Sequence, residues 1–363
     1  MTWREGTVVE PGRSWHGAAE WWVDCDGERM RALAYPDLVG NIAVGERVLL
    51  SSTAVDRGLG TGGYLFVVAP LDRLPPPRTG PGHMVKARYT PQQTMVLGVD
   101  EQESPHHHTL CDAQSVEGMP CVVADLHSAL PAIVAAARHR SPELTIAYIH
   151  TDTAALPLAF SRTAASLVDR GHIETITAGQ SFGGKYEAVN VHTALLTAKH
   201  VVGADLAIIV QGPGNIGTGT PWGFSGTAVG EAINAINALD GTAIATLRVS
   251  GADARPRHRG ISHHSLTAYT KVALTPALVP TTREAIDDET RASIEESYPL
   301  LEATGRLTLT EVTGIRKALE LSRVPLRTMG RGLDEDYASF AFAGAGGVLA
   351  ADIVLAKKNS NTE

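Results

Sequence analysis

At 363 residues the chain exceeds the roughly 100–200 residues of a single domain, so one large domain with a small accessory one is expected. Its 31 basic and 39 acidic residues leave a formal charge of −8, which excludes the basic footprint of a general nucleic-acid binder and confines any anion site to a local patch. Three cysteines (Cys25, Cys111, Cys121) without metal-type spacing, and a start, MTWREGTVVEPG, with no basic segment followed by an apolar stretch, predict a cytoplasmic protein.

Residues 1 to about 72 alternate short β-type runs with turns: GTVVE, AEWWVDCDG, ERMRALAY, VGERVLLSS and GYLFVVA. Val8, Trp22, Leu33, Val48 and Phe66 fall in segments spaced about a dozen residues apart, as in a small all-β unit of barrel type. The proline and glycine of LPPPRTGPG can build neither helix nor ladder, which predicts a linker at 74–83 between domains at 1–73 and 84–363.

Beyond the linker, apolar runs recur at TMVLGV, CVVAD, TIAYIH, IETITA, DLAIIVQ and TAIATLRV, with helical patterns between most of them. Ser128 is placed to cap ALPAIVAAARH, with Pro131 near its first turn, and Gly171 to stop LPLAFSRTAASLVDR. Val229, Ala232, Ile233 and Ile236 follow helical spacing up to Gly241. Strands apolar throughout that alternate with helices predict an α/β domain, Rossmann-like and doubly wound, with a mostly parallel sheet covered on both faces. A charged helix around TREAIDDETRASIEES and a strand RLTLTEV complete it. The uncharged run Tyr337 to Ala351 holds Gly344, Gly346 and Gly347 and is closed by Asp352. It reads as a buried helix or a contact between copies in a homo-oligomer, not as a membrane span.

Ligands of doubly wound sheets bind outside the carboxyl ends of the strands. Following the runs there are DEQESPHHHTL, LHS, TDT, GQSFGGKYEAVN, GPGNIGTGT and SGADARPRHRGISHH. Gly212, Gly214 and Gly217 match the letters of the dinucleotide fingerprint. Pro221, Gly223 and Gly226 delay the helix, however, and Glu231 falls inside it, so an anion nest of glycine amides with Thr218, Gly219 and Thr220 competes with NAD(P) binding and with a tight structural turn. Arg257 and Arg259 offer forks to phosphate or carboxylate, or solvated pairs with an acidic surface. Histidines cluster at His106, His107 and His108 and at His258, His263 and His264. Together with Asp125, His127, His150 and Asp152 at two strand ends, they supply acid/base candidates (His127, Asp152, His263, His264) and metal candidates (His106, His107, Asp125, His150). No HExxH or CxxC accompanies them, and ordinary polar contacts are the plainer reading. Lys185 and Glu187 follow the flexible SFGG as a ligand contact and a base, or as helix-start charges. Ser265 beside His264 is adjacency, and no GxSxG elbow is present.

Taken together, SPHH, LHS, TDTAALPLAFS, SFGGKYEAVN, GPGNIGTGT, RHRGISHHSLTA and MGRGLDED, across about 84–340, resemble an uncharacterised bacterial family, a domain of unknown function, in which Lys185 stands where an acidic residue is frequent. The resemblance implies an assembly of motifs and no reaction or cofactor. The expectation is an enzyme acting on a small anionic, phosphate-bearing or nucleotide-like metabolite at the carboxyl edge. The alternatives are a non-catalytic ligand sensor or assembly protein, and an NAD(P)-dependent oxidoreductase.

Overall fold

A computed structural model describes residues 1–60, 62–77 and 79–360. Met1–Leu97 with Ala159–Ala165 form one compact unit, and Gly98–Leu158 with Ser166–Glu363 the other.

In the first unit β1 (Trp3–Trp15), β2 (Ala18–Cys25), β3 (Glu28–Ala34), β4 (Arg47–Ser51) and β5 (Leu65–Pro70) close a barrel in the order β1-β2-β3-β5-β4. Short helices α1 (Pro36–Val39) and α2 (Thr53–Asp56) lie in its connections. Alternation sends Val48 and Leu50 from β4, and Leu65 and Val67 from β5, into one core with Val8, Val23 and Ala32. Closure leaves no open edge to template aggregation. The buried Glu20 takes hydrogen bonds from Arg13 and Tyr64. Burial alone would raise its pKa, but these bonds outweigh it and hold the carboxyl down at about 2.

The run TMVLGV, expected as a strand of the parallel sheet, is split: Thr94–Val96 forms β7, which pairs antiparallel with β6 (Met84–Lys86) in a separate hairpin of the first unit, while Gly98, in the second unit, makes an isolated parallel bridge to Glu187. Gly82 allows the hairpin. At φ +105° its Cα lies against the Val96 carbonyl and Leu97, where a Cβ has no room.

The second unit is built on eight parallel strands: β8 (Pro120–Ala124), β9 (Ile146–Thr151), β10 (Glu174–Ala178), β11 (Tyr186–Ala188), β12 (Leu206–Gln211), β13 (Thr242–Ala245), β16 (Ala277–Thr281) and β17 (Leu307–Glu311). Their order is β11-β10-β9-β12-β8-β13-β16-β17. A two-stranded ribbon of β14 (Val249–Ser250) and β15 (Gly260–Ile261) follows β13. The helices are α3 (His107–Leu110), α4 (Leu130–Arg140), α5 (Arg162–Asp169, divided between the units), α6 (Val191–His200), α7 (Ala228–Ala238), α8 (His263–Thr267), α9 (Asp288–Glu295), α10 (Tyr298–Glu302), α11 (Arg316–Glu320) and α12 (Tyr337–Ser360). The expected doubly wound α/β architecture is present.

Helices α4, α11 and α12 pack on one another, while α6 and α7 pack together on the other face with the π-turn Ala268–Val272 that continues α8. The chain leaves β8 for β9 through α4, but leaves β12 for β13 through α7. Since parallel crossovers are right-handed, adjacent β8 and β12 send their connections to opposite faces, which opens a crevice at their carboxyl ends.

The apolar run near the end becomes α12, long and apolar enough to cross a membrane but with 78% of its most apolar window buried inside the protein. Gly347 and Gly346 bring it so close that a Cβ would strike the Ile133 carbonyl of α4 and the Thr246 side chain. Ser128 does not cap α4 as expected. A 3₁₀ turn at His127–Ala129 intervenes, Ala129 holds the cap position, and the Ser128 hydroxyl meets Thr328 Oγ1 at 3.0 Å.

Candidate functional site

Asp125 directly follows β8 and is 4% exposed. Its Oδ2 lies 3.6 Å from Arg248 Nη1, beyond β13, and 3.7 Å from His264 Nδ1 in the first turn of α8. Neither separation is a hydrogen bond, and Oδ2 is a buried oxygen without a hydrogen-bond partner. Arg248 donates instead to His264 Nδ1 at 3.0 Å, and its side chain is only 9% exposed. The His264 ring is fixed by Phe224, stacked at 3.8 Å and 2°. Ser262 caps α8 by accepting from the His264 amide, and His258 Nδ1 meets the same hydroxyl at 2.7 Å.

Gln211, at the end of β12, donates to the Asp125 carbonyl at 2.6 Å and accepts from Thr153 at 2.9 Å. Beside it, between α6 and α7, lies a cavity of about 240 Å³ lined by Thr151, Thr153, Asn190, Gln211, Ser225 and Gly226 among others. Gly226 belongs there for a steric reason: a Cβ would sit 3.0 Å from Asp125 Cβ.

The expected site residues are distributed unevenly around this crevice. His263 and His264 are in it. His127 adjoins it: its Nδ1 is 3.2 Å from the Gln211 carbonyl and 3.3 Å from the Tyr148 hydroxyl. Burial, opposed by the hydrogen bond to Gln211, lowers its pKa to about 4. His150 is fully buried, stacked on Tyr148 and bonded through Nε2 to the Ala155 carbonyl at 3.0 Å. Burial first, and His127 second, lower its pKa to about 3, so it is neutral. Asp125 and His150 are not on neighbouring strands, because β12 runs between β8 and β9. Asp152 lines the cavity beside Gln211, accepts the Gln180 amide at 2.8 Å and so also braces the loop after β10.

The glycine loop folds on itself. Gly217 pairs with Phe224, and the amides of Ile216, Thr218, Gly223 and Ser225 are spent on Ser225 Oγ, Gly223 O, Thr220 Oγ1 and Ile216 O. Gly212 has the fit its position demands, since a Cβ would fall 2.6 Å from the Ala155 carbonyl. Gly214 and Gly219 have φ of +94° and +79° with open space around them. Thr218 and Thr220 hydroxyls bond each other at 3.1 Å. A 3₁₀ turn at Ser225–Thr227 precedes α7, and Glu231 lies in that helix.

Lys185, Arg259 and the first histidine run lie elsewhere. Lys185 pairs with Glu174 at 2.7 Å on the exposed edge of the sheet, and Arg259 pairs with Glu289 at 2.8 Å. Arg257 is exposed, its Nε 3.4 Å from His258 Nε2. His106 contacts Tyr186 of β11, and His107 Nδ1 meets the Asp100 carbonyl at 2.7 Å. Four strand spacings, about 19 Å, separate β11 from β8. Glu187 is no helix-start charge: it sits in β11, buried, accepting from Gly183 N at 2.7 Å and Thr177 Oγ1 at 2.6 Å.

Sequence reasoning missed Arg248, a single basic residue within the apolar TAIATLRV that carries no local signal. It also gave no role to MGRGLDED. There Arg331 and Asp336 brace the ribbon, with Ser250 donating to Asp336 at 2.6 Å. Arg255 holds Asp253, nearby in sequence, well below the usual carboxylate range through its hydrogen bonds.

The fold and crevice define an α/β protein with a buried polar cluster at the switch point of a doubly wound sheet. Residues 31–347 match the model of a family described as "Protein of unknown function (DUF3866)", and the chain belongs to that family. No curated protein matches it.

Proposed function

We propose that the crevice at Asp125, Arg248 and His264 is the site of an enzyme that acts on a small anionic metabolite. The observation that carries this reading is the buried Asp125 carboxylate oxygen left without a hydrogen bond beside a buried arginine. An unsatisfied buried acceptor costs ~1–3 kcal/mol or more, and a ligand that meets it accounts for its being kept. Arg248 is the fork for the phosphate or carboxylate of the ligand, and Asp125 Oδ2 accepts from, and can deprotonate, a hydroxyl or ammonium of the same molecule. Arg248 supplies a permanent positive charge to the site. The space directly against Asp125 and Arg248 holds only about 20 Å³, and the larger cavity of about 240 Å³ adjoins it past Gln211 and Gly226, so a small metabolite suits the crevice better than a dinucleotide.

The test is a thermal-shift panel of inorganic phosphate, sugar phosphates, mononucleotides and hydroxy acids against the native chain, Arg248→Lys and Asp125→Asn. A compound that raises the native melting temperature should lose most of its effect in both variants, and mass spectrometry should show its turnover by the native chain. Undiminished shifts in both variants would sink the site. Binding without any conversion would leave a sensor in place of an enzyme.

A further inference from the structure

We propose that His258, His263 and His264 form a binding site for a divalent transition metal of the zinc class. One ring nitrogen from each residue lies within 4.8 Å of the others. The three come from two elements, the 3₁₀ turn Pro256–His258 and the first turn of α8, so their convergence is a property of the fold and not of chain adjacency alone. Imidazole nitrogens without carboxylates suit zinc, cobalt, nickel or copper, and do not suit magnesium or calcium.

A second observation is independent of the spacing. His263 Nε2 is buried and has no hydrogen-bond partner among the described residues. The tautomer of His258 is also set for ligation. Ser262 Oγ already accepts from the His264 amide and lies at His258 Nδ1, while Arg257 Nε approaches Nε2 as a donor. A proton on Nδ1 satisfies both contacts and leaves the lone pair on Nε2. Arg257 is exposed and has room to withdraw. His264 is held in plane by Phe224. On loading, it exchanges its Nδ1 contact with Arg248 for one to Asp125 Oδ2, 3.7 Å away, giving the carboxylate–histidine–metal arrangement common around such ions. Three protein ligands leave a position open for water or ligand. Metal binding here needs neither the anionic ligand nor the reaction proposed above.

The experiment uses the full chain, stripped with a chelator and titrated with Co²⁺ in the absence of any metabolite. One Co²⁺ per chain should bind with the visible absorption of low-coordinate nitrogen ligation. His258→Gln and His263→Gln should abolish that spectrum, and Asp125→Asn should weaken binding roughly 10- to 100-fold. A spectrum unchanged in His258→Gln and His263→Gln, but lost on replacing His106 and His107, would overturn the assignment, as would no binding at all. Should a variant fail to fold, the native chain still decides. Zn²⁺ should shift the imidazole NMR resonances of His258 and His263 while those of His106 to His108 stay in place, and the reverse pattern would overturn the proposal.

Discussion

Two regions of one sheet, the amino ends of β10 and β11 and the carboxyl ends of β8, β12 and β13, carry similar residues and come to opposite outcomes. Around β10 and β11 the chain sets Lys185, Glu174 and Glu187; around β8, β12 and β13 it sets Asp125, Gln211 and Arg248. In the first stretch every charge is answered: Lys185 and Glu174 pair at 2.7 Å in solvent, and Glu187 takes bonds from Gly183 and Thr177. In the second, Asp125 and Arg248 are both nearly excluded from water, stand 3.6 Å apart, and leave a carboxylate oxygen unbonded. Charge at a strand end therefore does not by itself make a site. Burial with an unmet hydrogen-bonding oxygen is what distinguishes the candidate site, because there a ligand would gain what the fold has withheld.

The largest expected effect breaks the buried side of this comparison. Arg248→Met strands Asp125 as an uncompensated buried charge, which costs on the order of 3–5 kcal/mol. Urea denaturation should show that loss, and adding Asp125→Asn to the same chain should recover most of it. If Arg248→Met alone costs no more than a surface substitution, the cluster is more solvated than its geometry implies.

A second, smaller effect sharpens the contrast through pH. The His150 value of about 3 lies below the ~6.5 of an exposed histidine, chiefly because of burial. The unfolded chain therefore takes up the proton first. Stability from this group is whole above pH ~6.5 and falls as the pH drops through the interval down to about 3. At ~1.4 kcal/mol per unit the loss between pH 7 and pH 5 is about 2 kcal/mol. Urea titrations at the two pH values should show it, with the difference shrinking in His150→Gln whatever that variant does to stability at neutral pH.

Much of this architecture is legible in the chain because burial on both faces of a sheet writes itself as continuous apolar runs. CVVAD, TIAYIH, IETITA and DLAIIVQ each became a strand of the parallel sheet. TMVLGV reads the same way but reaches that sheet only through a bridge at Gly98, since Thr94–Val96 pairs with Met84–Lys86 in a hairpin that Gly82 admits, a contact that periodicity does not encode. The site was legible in part. The carboxyl edge follows from topology alone, and the histidine-rich loop after β13 stood out by composition. What composition favoured in that loop, Arg257 and Arg259, lies at the surface, whereas Arg248 looks like an interruption in a strand. Nor does spacing tell that β12 inserts between β8 and β9, which separates Asp125 from His150 although their strands are consecutive before it. Strand order is set by long-range packing, and one sequence holds little direct record of it.

The smallest expected effect tests the exposed side. Lys185 and Glu174 keep 56% and 41% of their side-chain surface, so water and salt screen the pair and its formation immobilises two flexible side chains. The hydrogen bond to Glu174 raises the Lys185 pKa, but at this exposure the shift carries little stability. Lys185→Met should change unfolding free energy by no more than about 0.5 kcal/mol in urea, with the difference vanishing in high salt. It should also leave intact the thermal shift produced by any metabolite that depends on Arg248. A lost ligand response in Lys185→Met, with folding unchanged, would move the site from the switch point to the β11 edge and reverse the comparison between the two stretches.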